Sequence, residues 1–137
     1  MASRLFFVTC ASLTFACRVS QASLAGRYLE RHEKGDIVLT LAADYTFVES
    51  LEPRGGSPAV ARGRWTFNQN QSTVSLHGAV FSGHVFGDPR FRDYRVAERG
   101  GLWLLTAERG ALGKVRLVDS PDFDLAFQRV SDRWVPK

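Results

Sequence analysis

The chain predicts an all-β fold, an antiparallel up-and-down meander of about eight to nine short strands closed into a barrel, with a two-sheet β-sandwich as the alternative. Three observations predict it. Apolar and polar residues alternate with period two, as in Ile37-Val38-Leu39-Thr40-Leu41 and Phe123-Asp124-Leu125-Ala126-Phe127, which is the signature of strands with one buried face. Clusters rich in turn formers interrupt that alternation about every eight to twelve residues. The helical spacing of i, i+3, i+4 and i+7 never persists for about ten residues beyond the N-terminal segment. A barrel is favoured over a sandwich because successive hairpins need only short connections and closure removes exposed edges.

The first 22 residues read as a secretory signal: Arg4, an apolar run over residues 5–16, then Ser20 and Ala22 as the small side chains before a cut after Ala22. That run is too short for the roughly 20 residues that span a bilayer. Residues 23–137 then form a single domain, exported to the periplasm or the exterior. A second reading takes Thr14-Phe15-Ala16-Cys17 as a lipobox, with lipidation and membrane anchoring at Cys17. Cys10 and Cys17 are the two cysteines, so the favoured cut leaves no disulfide, thiol nucleophile or cysteine metal site. It also removes Arg4 and Arg18, leaving 16 basic against 14 acidic residues, a balance of +2. The arginines are scattered among acids, so neither nucleic acid nor an anionic membrane is an expected partner.

Taken in order, Tyr28 shares a strand face with Gly26 and Glu30, and Glu33-Lys34-Gly35-Asp36 turns the chain. Ile37, Leu39 and Leu41 form the buried face of the next strand. Ala42-Ala43-Asp44-Tyr45 reverses it, and Tyr45, Phe47 and Glu49 share a face on return. Residues 52–58, with two prolines and two glycines, read as an exposed loop. Gly63, Trp65 and Phe67 then face one way and Arg62, Arg64 and Thr66 the other. An indole two residues after a glycine predicts that another ring or backbone packs on the bare glycine. Asn68-Gln69-Asn70-Gln71 is a turn, followed by a short strand from Thr73. Residues 81–91 are too broken for a helix and too apolar for an ordinary loop, which predicts a segment closing over a core or cavity. Strands resume at Tyr94 and Val96. Leu102-Trp103-Leu104-Leu105 is apolar on both faces and predicts a strand covered on both sides or closing the barrel. Residues 115–118 and 123–130 complete the set, and Trp134 lies in the tail.

The Gly26-Arg27-Tyr28 opening, the Leu39-Thr40-Leu41-Ala42-Ala43-Asp44-Tyr45-Thr46-Phe47 hairpin and Gly63-Arg64-Trp65 resemble the small lipocalin-like barrels of bacterial envelopes, including the NlpE-type N-terminal barrel of copper-resistance lipoproteins. Residues 122–129 are similar to the final strand of such domains. The resemblance implies a fold and a compartment. It departs at Tyr45, where the family has glycine after the turn aspartate; because tyrosine resists positive φ, either the turn differs or Asp44 takes that conformation. The NlpE-type cysteine pair is absent, so copper or redox function does not carry over.

His32, His77 and His84 show no metal-ligand spacing, and no metal or other cofactor is expected; surface or loop positions are expected for all three. Ser82, His84 and Asp88 are the nearest approach to a hydrolytic constellation, without a G-x-S-x-G elbow. Asp122 and Asp124 have the spacing of a solvated strand edge. No catalytic residue is assigned. The aromatics either fill a narrow barrel or line an apolar pocket whose candidate ligand-binding residues are Trp65, Phe81, Phe86, Arg90, Phe91, Tyr94 and Trp103, with Arg90 and Arg92 facing an anionic head group. The leading functional expectation is thus a non-enzymatic exported lipocalin-like barrel binding a small amphipathic ligand. The alternative is a filled barrel that binds another envelope protein as an interaction or inhibitor module, and the third is a hydrolase.

Overall fold

A computed structural model of the protein describes residues 18–80, 101–120 and 125–133. The expected meander is present. Eight strands, β1 (Gly26–His32), β2 (Gly35–Leu41), β3 (Thr46–Pro53), β4 (Ala59–Asn68), β5 (Thr73–Ala79), β6 (Gly101–Arg109), β7 (Val115–Ser120) and β8 (Leu125–Val130), pair antiparallel in sequence order. β8 returns to β1 through Arg27↔Val130, Tyr28↔Arg129 and Leu29↔Gln128, closing the barrel. This continuous pairing excludes the sandwich.

Strand parity follows the sequence. Tyr28, Ile37, Leu39, Leu41, Phe47, Leu51, Trp65, Val74, Leu76, Leu105, Leu117 and Phe127 are buried together in one interior cluster. Gly63 sits where β4 meets β3 and β5. A methyl on it would overlap the His77 carbonyl oxygen and lie 2.6 Å from a Phe47 ring carbon, so the expected ring against a bare glycine is Phe47. Across from it, Gly78 adopts φ 94° at an irregularity in the β5–β6 register between His77 and Ala79. A side chain is strained at that φ, and glycine is not.

Two local expectations are corrected. At the β2–β3 turn Tyr45 itself takes the left-handed conformation, with φ 66°, and β3 starts one residue later. The surroundings over-determine it: Tyr45 N–H donates to Ala42 O at 3.2 Å, its carbonyl accepts from Trp65 N–H at 2.8 Å, and its ring lies 5.4 Å from that of Trp65. Asp44 Oδ1 accepts from Thr46 Oγ1 and from Thr46 N–H at 2.6 and 3.0 Å. The side-chain bond first, then the backbone one, holds the Asp44 carboxyl below its ordinary pKa. The second correction is at β6. Trp103 and Leu105 face inward, but Leu102 and Leu104 are 60% and 53% exposed, so this strand is covered on one side only, and the closing pair is β1–β8.

Before β1, a single 3₁₀ turn (Gln21–Ser23) lies across one end of the barrel. Val19 and Leu24, which flank it, are buried in the interior cluster. A cut after Ala22 would pass through this turn.

Candidate functional site

The two ends of the barrel differ in chemistry. At one end stand the 3₁₀ turn, the β2–β3, β4–β5 and β6–β7 turns, and the last residues of β8. This end is plugged. Tyr28 O–H donates to Leu24 O at 2.7 Å. Arg129 donates from Nη1 to Ser23 O and from Nη2 to Ala25 O, each at 2.6 Å, with its guanidinium 5.8 Å from the Tyr28 ring centre. Burial pushes the Tyr28 phenol up to about 12, against the opposing charge of Arg129. The Trp65 indole N–H donates to Ala42 O at 2.9 Å. The bonds to Ser23, Leu24 and Ala25 clamp the N-terminal segment onto the barrel, and the Trp65 bond gives Ala42 O a second donor beside Tyr45 N–H. Outside the plug, an open groove of about 470 Å³ is lined by Gln21, Tyr45, the run from Arg64 to Phe67, and His77.

At the opposite end, the inward positions turn polar. Following Tyr28 on the inner face of β1 come Glu30, 2% exposed, and His32, whose Nε2 lies 2.7 Å from Glu30 Oε1. On β3 the inner face runs Phe47, Glu49, Leu51, and Glu49 is fully buried, with Oε1 accepting from Val80 N–H at the end of β5. On β7, Asp119 follows Leu117, and its Oδ1 accepts from Trp103 Nε1–H at 2.7 Å. The Trp103 ring meets Phe127 edge-on at 5.5 Å between centres, so a hydrogen bond and an aromatic contact both fix the indole.

Burying a carboxylate is costly unless its lone pairs are met. Here Glu30 Oε2 and Asp119 Oδ2 are buried, and neither has a hydrogen-bond partner among the described residues. Polar acceptors therefore line the end from which the connections after Ala79 and Ser120 depart. Among the described residues no three His, Cys, Asp or Glu side chains converge as metal ligands do.

Of the residues expected to bind ligand, Trp65 and Trp103 share one cross-strand row through Leu76; the Trp65 indole bonds to Ala42 O at the plugged end and the Trp103 indole to Asp119 on the side of the opposite end. Phe81, Phe86, Arg90, Phe91 and Tyr94 lie outside the described residues, as do Arg92, the Ser82, His84 and Asp88 of the hydrolase reading, Asp122, Asp124, Trp134 and Cys17. His77 is exposed on β5 as expected. His32 is not a surface or loop histidine; strand parity turns it inward beside Glu30.

Sequence reasoning placed Glu30 on the Tyr28 face and Glu49 on the Phe47 face but drew no site from them. The available signal was a charged residue at an inward position of an otherwise apolar alternation, which occurs at Glu30, Glu49 and Asp119 alike. No protein-family model, curated protein or solved structure matches the chain.

Proposed function

We propose that the protein is an exported, lipocalin-like barrel that binds a small amphipathic ligand at the polar end of its interior. One observation carries this reading: the interior has an apolar, plugged half and a half in which Glu30 Oε2 and Asp119 Oδ2 are buried with no hydrogen-bond partner among the described residues. A barrel interior that serves only as a core gains nothing from Glu30, because an apolar side chain of the same size fills the space without desolvating a charge. A ligand with an apolar body and a hydrogen-bonding head matches both halves. Trp103 belongs to the site, and Trp65 is its packed base. Export rests on the charged, apolar and small-residue order of the N-terminal segment. Native mass spectrometry of the protein isolated from its own host tests the reading. A small bound mass at one equivalent is expected, whereas a stoichiometric protein partner with no small mass would overturn it.

The exposed Leu102 and Leu104 on the outer face of β6 favour a second reading, an envelope protein-interaction module. The same spectrum separates the two.

A further inference from the structure

We propose that the groove outside the plug is a second ligand site, taking a flat aromatic carboxylate whose anion sits between Arg64 and His77 and whose rings lie against Tyr45. It goes beyond the polar-end reading and does not rest on it. The groove follows from unequal strand pairing. β3 pairs with β4 no further than Thr46↔Arg64, whereas β4 pairs with β5 on to Asn68↔Thr73, so the β4–β5 hairpin extends past the β2–β3 turn. Beside that overhang lies the groove of about 470 Å³, and Tyr45, Arg64 and His77 all stand on its lining. An aromatic ring, a guanidinium and an imidazole thus meet in one cavity. A cut after Ala22 removes only Gln21 from that lining.

Arg64 and His77 stand directly opposite one another across β4 and β5, and both are exposed. Strand parity therefore points both side chains outward, with Cβ atoms about 5 Å apart, so one carboxylate reaches both. Of the ion pairs among the described residues, His32 with Glu30 and Arg116 with Glu108, neither includes Arg64. Asp44, in the adjoining turn, holds its Oδ1 on Thr46. A guanidinium presents a planar fork of donors that matches a carboxylate, and an ammonium head would meet like charge there. Tyr45 supplies the second half of the site. Its φ of 66° is disfavoured for a residue with a Cβ, and its ring, 5.4 Å from that of the buried Trp65, is still 45% exposed. Burial in the core is thus not what keeps a tyrosine at this position. A held, half-open ring is a stacking platform, and backbone strain of this kind gathers where ligands are clamped.

The test is a ¹H–¹⁵N titration of the purified protein with naphthoate, naphthylmethanol and naphthylmethylammonium, which share a flat body and differ in head group. Naphthoate is expected to bind most tightly, with saturable shifts at the backbone amides of residues 64–67 that exceed the shift of the Trp103 indole N–H. Arg64→Gln should weaken naphthoate roughly threefold to tenfold, since a charge-assisted bond at an exposed rim is worth less than a buried one, and leave naphthylmethanol unchanged. His77→Ala should weaken naphthoate about twofold or more. Tyr45→Gly removes the ring while suiting the backbone conformation, and should weaken naphthoate and naphthylmethanol alike. Far-UV circular dichroism checks that each variant folds, and the exposed Arg64→Gln carries the comparison if Tyr45→Gly does not. Either of the other probes binding as tightly as naphthoate, or Arg64→Gln leaving naphthoate unchanged, would overturn the carboxylate assignment. Shifts at Trp103 with residues 64–67 unmoved would place naphthoate at the polar end, removing this site while the first reading stands. Failure of all three probes to bind would remove this site and leave the polar-end reading to its own mass measurement.

Discussion

At Gly63 a single added methyl would overlap the carbonyl oxygen of His77 and press on the ring of Phe47. Both neighbours are held, one by the backbone of β5 and the other by the packed interior. Gly63→Ala is therefore expected to lower stability by roughly 2 kcal/mol or more, read as a shift in the midpoint of urea unfolding without a change in slope. Tyr28 gives a prediction in pH. Its phenol is raised from 10.0 to about 12 in the folded protein, so folding favours the neutral, proton-bound form. The associated stability is fully present below pH 10 and is lost as pH rises through about 12; it amounts to about 2 to 3 kcal/mol. Tyr28→Phe should lose the bond to Leu24 O and also flatten the fall in stability between pH 10 and 12, followed by denaturant titration at each pH. A variant with the same steep alkaline fall would show that another group carries it. Tyr45 marks a limit of residue-level reading. Tyrosine is disfavoured at φ 66°, and the contacts that hold it there, the carbonyl of Tyr45 on Trp65 N–H and the two rings together, come from a strand about twenty residues away.

At the scale of elements, the parity of β2, β3 and β4 was legible because apolar and polar residues alternate in each between turn clusters. Ile37, Leu39, Leu41, Phe47, Trp65 and Phe67 all face as their spacing indicates. The outward placement of Leu102 and Leu104 was not legible, since an apolar residue at an outward position has the same sequence whether a neighbour covers it or water does. The role of the N-terminal segment was hidden for a different reason. Residues 18–22 read as the end of a signal, yet the structure buries Val19 in the interior cluster and has Arg109 donate to Arg18 O at 3.5 Å. A chain that begins at Ser23 loses Val19 and divides the 3₁₀ turn. It is expected to be less stable than one beginning at Arg18 by about 2 kcal/mol, the worth of one buried valine side chain, and to melt several degrees lower in a thermal scan. Equal melting temperatures would show that Val19 adds nothing.

For the whole molecule, closure by β1 and β8 fixes two unlike ends on a single ring of strands. The barrel and its meander order could be read from short hairpins and the lack of helical periodicity. Its polarity could not, because Glu30, Glu49 and Asp119 are far apart in sequence and acquire a common meaning only when the ring closes. The aromatic count likewise cannot tell the two indoles apart: Trp65 and Trp103 stand on similar alternations, and the difference lies in their partners, a turn carbonyl for one and an inward carboxylate for the other. That difference makes the central claim directly measurable. In a two-dimensional ¹H–¹⁵N spectrum, with the indole N–H signals assigned by substitution of each tryptophan, a short amphipath such as decanol titrated into the protein should shift the Trp103 Nε1–H signal saturably and by more than that of Trp65, whose N–H is held on Ala42 O. A saturable shift at Trp65 with Trp103 unmoved would put the ligand at the wrong end of the barrel and contradict the account.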